Sequence, residues 1–361
     1  MATVETDLRF DERFAGRLKQ VFLYLTDECN TRCVHCYYKP WLKDHHGEMP
    51  TEVVQALLQK FRSLGATKVS LLGGEPTQYG QAPGNERLGR IVTLARQIGY
   101  TYIRIVTNGL FDDSLLCDPE LRRIDEITFS VDGDTPEVHN SLRGTNAFQR
   151  VIRSLRHAVS LGYRVHMTMC VHRGNIGLTA TGEPLLVRAI RWAASLGVHS
   201  FNFHPLLRMG VARDGWTGET DIEPEQWIQA YRLIQSLTQQ GHFGITVRIP
   251  IRFVSSLQLS NHPQYYGYCS VRSADRLDVH PNGTMHTCAL HTGTSTAVAT
   301  FRHLDNRVRI QWEERDGELD QGPLMTAGVH PCHVIKRTPD GLTPLCISLK
   351  TSQEDRIEFV N

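Results

Sequence analysis

Val21-Phe-Leu-Tyr-Leu-Thr26-Asp-Glu-Cys29-Asn-Thr-Arg-Cys33-Val-His-Cys36 is the stretch on which the fold turns. It is an apolar run long enough for one strand, followed by three thiols on one short loop, with Tyr37 and Tyr38 behind them. Thiolates packed this closely can hold an iron–sulfur cluster or a soft metal. Three ligands would leave one iron of a four-iron cluster without a protein partner, and that vacancy is a place where substrate can bind. Structural zinc would need a closed set of four ligands. Locally only His35 could complete such a set, and it lies between two of the cysteines. A disulfide fits poorly, because a chain with nine cysteines and no secretory signal reads as one made for a reducing compartment.

Downstream of this stretch the sequence alternates strand and helix. The first strand covers about 21–26, and Pro50-Thr51-Glu52 opens a helix to about Leu64, with a proline and an acid in its first turn and Gly65 past its end. Its apolar positions Val53, Val54, Leu57, Leu58, Phe61 and Leu64 follow helical spacing. Lys68-Val-Ser-Leu-Leu72 is a second strand and Tyr102-Ile-Arg-Ile-Val106 a third, with a helix over about 86–98 between them. A short helix near 118–123 precedes a fourth strand, Glu126-Ile-Thr-Phe-Ser130 continuing to Asp132. Helices over about 147–160, 183–195 and 223–240 flank a fifth strand, Arg164–Val171, and a sixth, Ser200–His204. Six such units in succession demand parallel strands joined by right-handed crossovers. The predicted fold is α/β, a partial (β/α)6 TIM-like barrel over 21–240, with 1–20 as a short polar lead-in and 241–361 as a separate extension.

In barrels of this kind chemistry gathers at the carboxyl ends of the strands. The cysteine loop follows strand one, Gly73-Gly74-Glu75-Pro76 strand two, Asn108 strand three, and Ser130 with Asp132 strand four. Alternation puts His166, Thr168 and Cys170 on one face of strand five, opposite Val165, Met167, Met169 and Val171. Asn202 and His204 likewise oppose Phe201 and Phe203 on strand six. If the apolar sets pack on helices, the polar sets line the cavity and are the candidate substrate contacts.

The spacing CxxxCxxC after a first apolar strand resembles the signature of the radical S-adenosylmethionine (SAM) enzymes. That resemblance implies that Cys29, Cys33 and Cys36 bind a four-iron four-sulfur cluster whose fourth iron chelates SAM. Reduction by an external donor such as flavodoxin or ferredoxin then yields a 5′-deoxyadenosyl radical, with the cofactor carrying the hard chemistry. It further implies that Gly73, Gly74 and Glu75 form the glycine motif meeting the SAM ammonium, that Asn108 belongs to the SAM site, and that Ser130 and Asp132 are candidates for the ribose hydroxyls. Arg143 matches an arginine that holds the SAM carboxylate, and His35 stands where the family has an aromatic residue near the adenine.

Residues 241–361 carry four of the nine cysteines and lack strand–helix alternation. Pro281-Asn282-Gly283 is a hairpin turn between two short strands. The spacing of Cys269, Gly283 and Cys288 resembles the SPASM/twitch extensions of radical SAM enzymes, implying one auxiliary 4Fe-4S cluster on Cys269, Cys288, Cys332 and Cys346. A zinc ribbon would use the same four thiolates.

Lysine plus arginine (39) almost cancels aspartate plus glutamate (38), so charge gives no sign of nucleic acid or an anionic membrane as partner. No apolar run is long enough to span a bilayer, and the expected location is the cytoplasm. The expected reaction is hydrogen abstraction from a small polar metabolite, sugar- or aminocyclitol-like, followed by oxidation or by epimerisation with Cys170 as hydrogen donor. Two alternatives stand beside it: a maturase acting on a ribosomally made peptide, and a non-catalytic, zinc-stabilised binding protein.

Overall fold

A computed structural model describes residues 3–38, 47–80, 86–144, 146–206, 222–250, 273–291, 297–305, 307–313 and 342–344, with 253–255, 257 and 261. The chain runs β1 (Thr3–Thr6), α1 (Leu8–Phe14), β2 (Gln20–Tyr24), α2 (Thr51–Ser63), β3 (Lys68–Leu72), α3 (Glu86–Ile98), β4 (Tyr102–Thr107) and β5 (Glu126–Ser130). It continues through α4 (Pro136–Arg143), α5 (Ala147–Ser160), β6 (Val165–Val171), α6 (Leu185–Ser195), β7 (Ser200–Pro205), α7 (Pro224–Gln239) and β8 (Thr246–Arg248). Beyond these lie β9 (Phe253–Ser255), β10 (Arg276–Val279), β11 (Thr284–His286), β12 (Ala299–Leu304), β13 (Arg307–Trp312) and β14 (Leu342–Pro344).

Strands β2 to β8 pair in chain order, each parallel to the next. The (β/α) barrel therefore forms as the strand–helix alternation requires, and its sheet stays open. Each strand buries its apolar set against the helices. Met167, Met169, Phe201 and Phe203 are at most 1% exposed, whereas Thr168, Cys170 and Asn202 on the opposite face are half-buried. Helix α2 docks through Val53, Val54, Leu57, Leu58 and Phe61, the residues its 3.6-residue period selects. Burying such a side chain stabilises by about 1.5–3 kcal/mol.

Four features depart from the sequence-based expectation. The barrel sheet continues past residue 240, because Thr246–Arg248 adds a seventh parallel strand beside β7. The segment near 118–123 holds a single 3-10 turn, Leu121–Arg123, preceded by another at Asp113–Cys117, rather than an α-helix.

The first twenty residues are also more than a lead-in. Strand β1 pairs in parallel with β13, Thr3 opposite Arg307 and Thr6 opposite Ile310. Helix α1, capped by the Asp7 carboxylate on the Arg9 amide, buries Phe10 and Phe14 completely. The extension joins the same sheet, since β10 pairs in parallel with β2 and forms the expected hairpin with β11 across Pro281–Gly283. One sheet of twelve strands thus runs β1-β13-β12-β11-β10-β2-β3-β4-β5-β6-β7-β8.

Candidate active site

Two of the three loop thiols meet at one hydroxyl. Cys29 Sγ and Cys33 Sγ lie 3.2 and 3.4 Å from the same hydroxyl, Thr31 Oγ1, and all three cysteines are half-buried and outside any disulfide. The loop is anchored on several sides. The Val34 amide donates to Leu142 O at the end of α4 (2.9 Å), the Asn30 amide group donates to Leu110 O (2.6 Å), and Asn108 donates to Asn30 Oδ1 (2.8 Å). Asn108 therefore serves the site by fixing the cysteine loop to the end of β4.

The Gly73-Gly74 turn has a physical requirement of its own. A Cβ on Gly74 would fall 2.4 Å from Glu28 O and 2.6 Å from Asp27 O, and one on Gly73 would fall 2.8 Å from Thr26 O. Only glycine lets this turn lie against the root of the cysteine loop, where Gly74 N donates to Thr26 O and Glu75 N to Glu28 O, both at 2.7 Å. What approaches closely in this structure is the protein's own backbone.

Glu75 differs from its expected part as an acceptor for the SAM ammonium. It is 1% exposed, and its carboxylate accepts from Thr77 N (3.1 Å), Thr77 Oγ1 (2.9 Å), Thr107 Oγ1 (2.7 Å) and Asn108 N (2.7 Å). Burial raises its pKa while these four donors pull the other way. With three of these bonds on Oε1 and one on Oε2, Glu75 clips the end of β3 to the end of β4. Glu75→Gln turns one acceptor into a donor aimed at a buried N–H, and it is expected to cost about 2 kcal/mol in a urea titration.

Asp132 also differs from a ribose contact. Strand β5 ends at Ser130, so the alternation that pairs the two residues stops before Asp132. Asp132 is fully buried: Oδ1 accepts from the Cys170 amide at 2.8 Å, and Oδ2 accepts from Arg143 Nε at 2.6 Å, with His35 Nε2 at 3.3 Å. Its pKa lies well below the carboxylate range because the Arg143 charge, then His35, overcome the cost of burial. The same pairing holds Arg143 firmly cationic despite burial. Burial brings His35 down to about 4, so the ring is neutral near pH 7. Three residues outside the sequence-based set complete this frame. Thr31 holds Cys29 and Cys33, His139 Nδ1 accepts from the Asp132 amide (3.2 Å), and Asn175 donates to Asp132 O (3.1 Å).

Cys170 lies in the same knot. Its Sγ, His35 Nε2 and an Asp132 oxygen lie within 4.8 Å of one another, a spacing that suits a metal ion. The guanidinium of Arg143 already occupies that carboxylate and would repel a cation. Burial, reinforced by Asp132, pushes the Cys170 thiol well above its ordinary pKa, and Cys33 and Cys36 belong to its electrostatic surroundings. Cys170 thus sits on the same side as the cysteine loop.

The remaining candidates separate. Ser130, Thr168 and Asn202 are register partners across β5, β6 and β7, and Cys170 pairs with His204 one row nearer the cysteine loop. His166 instead sits deep in the barrel, hydrogen-bonded to Ser200 and 3.4 Å from Glu126, which places it in a satisfied polar plug rather than at a substrate contact. Cys288 is buried just past β11, whereas Cys269, Cys332 and Cys346 lie outside the described residues.

The arrangement suits the group that its thiols imply. Three thiols on one loop, none in a disulfide, a loop root that no side chain can crowd and a cation held beside Cys33 fit a negatively charged cluster with one open iron. When bound, such a cluster supplies the electron that splits the carbon–sulfur bond of SAM.

Residues 23–176 match the sequence model of the Radical SAM superfamily. A probable GTP 3',8-cyclase of Saccharolobus solfataricus is 24% identical over 279 residues, 77% of this chain and 84% of that protein. A GTP 3',8-cyclase of Vibrio vulnificus is 21% identical over 364 residues, 94% and 97% of the two chains. Among solved structures, SuiB of Streptococcus suis bound to its precursor peptide SuiA superposes with a TM-score of 0.61 at 13% identity over 80% of this chain, which spans 64% of SuiB. The structure of anSMEcpe with bound AdoMet gives 0.57 at 17% identity over 78% of this chain and 77% of that one. Since the matched span starts inside β2, takes in the three-thiol loop and the glycine turn, and ends just past β6, residues 23–176 are similar to the radical SAM domain, and the chain reads as an enzyme that uses a four-iron cluster and SAM.

Proposed function

We propose that the enzyme abstracts a hydrogen atom from a carbon of a small polar metabolite held inside the barrel. One observation carries this reading. Thr168 Oγ1 and Asn202 Oδ1 are buried side-chain oxygens with no hydrogen-bond partner among the described residues, on adjacent inward register positions one row from Cys170 and His204. Buried polar groups without partners are costly, and a hydroxyl- or amide-rich substrate would supply the missing bonds. The relatives named as GTP 3',8-cyclases support a nucleotide-like substrate over the sugar or aminocyclitol expected from sequence alone. An auxiliary cluster on Cys269, Cys288, Cys332 and Cys346 belongs to the same proposal, as do an external electron donor, a cytoplasmic location and a barrel unit from residue 21 that runs on past 240 to Arg248. No described helix is long and apolar enough to cross a membrane.

We read the outcome as oxidation rather than epimerisation. A hydrogen donor for epimerisation must face the substrate from the side away from SAM, whereas Cys170 lies beside Asp132, Arg143 and the cysteine loop. Cys170→Ala is therefore expected to keep product formation within about threefold of wild type, a difference of less than about 1 kcal/mol. Continued 5′-deoxyadenosine release with product formation stalled would instead assign Cys170 the donor role. The substrate class is tested by incubating the anaerobically reconstituted enzyme with SAM, reductant and deuterated nucleotides. Deuterium in 5′-deoxyadenosine supports the reading, and transfer only from a peptide contradicts it.

A further inference from the structure

The inner wall of the barrel carries more positive charge than the SAM site accounts for. Ile103 and Ile105, Val165, Val247, and Leu277 with Val279 are all buried on the helix-facing side of their strands. Alternation therefore turns Arg104, Arg164, Arg248 and Arg276 inward. Carboxylates stand near two of them, Glu126 on β5 beside Arg104 and Asp278 on β10 beside Arg276.

Resting on the proposed reading of the barrel interior, we propose that Arg104, Arg248 and Arg276 form a seat for an oxyanion, phosphate or carboxylate, carried by the substrate. The guanidiniums of Arg104 and Arg276 both lie over the Phe22 ring, at 5.7 and 3.8 Å from its centroid, so one aromatic platform holds the pair. Arg104 directs Nε and Nη2 at the single Ser70 hydroxyl (3.2 and 3.0 Å), while its Nη1 stops 3.8 Å short of Glu126. Arg276 commits Nε and Nη2 to Asp278, and its Nη1 makes no hydrogen bond among the described residues.

Both side chains stay over a fifth exposed although they stand on interior strands. Neither guanidinium is sealed from the barrel interior, although Arg104 is also paired with Glu126. Burial lowers the Arg104 pKa, Glu126 offsets part of that, and Arg276 and Arg248 add repulsion that an anion placed between them would relieve. Arg248 is the register partner of Asn202, which in turn pairs with Thr168. The unpartnered oxygens of the proposed substrate wall and the arginines therefore belong to one continuous surface. A substrate seated by its anion near Arg104 would extend its reacting carbon past Thr168 and Asn202 toward His204 and the cysteine loop.

The test is calorimetry on the reconstituted holoenzyme with SAM and no reductant, using pyrophosphate, citrate and uncharged myo-inositol as probes. Pyrophosphate or citrate is expected to bind, the preferred one identifying the anion, and myo-inositol is not. Arg104→Gln and Arg248→Gln are each expected to weaken binding about tenfold or more, with iron content and the visible cluster spectrum unchanged. Arg248 ends a short strand and its side chain is exposed, so its variant remains informative if Arg104→Gln folds poorly. Failure of both anions to bind, or equal binding by wild type and the Arg248 variant, overturns the proposal. Because no reductant is present, these results are independent of whether the enzyme cleaves SAM or acts on a nucleotide.

Discussion

Asp132→Ala is expected to abolish SAM binding and to lower the folding stability of the cluster-loaded protein by about 3–5 kcal/mol, the cost of leaving a buried charge without its partner. Both carboxylate oxygens are in use. One holds the Cys170 amide on β6, and the other holds Arg143 at the end of α4 and contacts His35 inside the cysteine loop. Removing the carboxylate strands the Arg143 guanidinium, 12% exposed, beside Cys33. The arginine that the family resemblance assigns to the SAM carboxylate would then lose its orientation. Asp132→Asn keeps the shape and one acceptor, so it should fall between wild type and alanine. Denaturant titration gives the stability, and equilibrium dialysis with SAM the binding. Unchanged SAM affinity in Asp132→Ala would remove this carboxylate from the site.

Gly74→Ala should have the second large effect, and it should act on the metal site before the fold. The added methyl would stand 2.4 Å from Glu28 O and 2.6 Å from Asp27 O, both backbone atoms that cannot swing aside. Relief requires separating the turn from the root of the cysteine loop, which breaks the Glu75 N to Glu28 O and Gly74 N to Thr26 O hydrogen bonds. Overpacking of this kind costs about 1–3 kcal/mol, and here the displaced backbone leads straight into Cys29. The expected result is near-native circular dichroism with iron content after reconstitution reduced by half or more. Gly73→Ala, whose methyl would meet Thr26 O at 2.8 Å, should show a milder form of the same loss. Full iron loading of Gly74→Ala would show that the loop tolerates the displacement.

The barrel was legible from the chain because its evidence is local. Helix α5 falls at Ala147–Ser160, as its apolar period indicates, and the division of β6 and β7 into apolar and polar faces follows from alternation alone. The three thiols needed nothing beyond their spacing. What escaped was non-local. The lead-in looks polar because the partner of β1 is β13, some 300 residues away, and only that pairing places Phe10 and Phe14 in a core. The parallel pairing of β10 with β2 has the same cause.

At the site, residue types were easier to find than their employment. Glu75 and Asp132 stand at the strand ends where sequence reasoning looks for ligand contacts. Their carboxylates are instead taken up by Thr107, Asn108, Cys170 and Arg143, groups that arrive from other strands and helices. His166 misleads for a related reason, since its face is inward as expected but its depth beside Ser200 and Glu126 is visible only in the register. Arg104 gives no local signal at all, being one charge in an otherwise apolar strand.

The most direct measurement of the central claim is anaerobic reconstitution of the full chain followed by addition of SAM and a strong reductant, with iron and 5′-deoxyadenosine both quantified. The account predicts about four irons lost together when Cys29, Cys33 and Cys36 are replaced by alanine, and 5′-deoxyadenosine from the wild type but none from that variant. Zinc bound at these thiols with SAM left intact would contradict it.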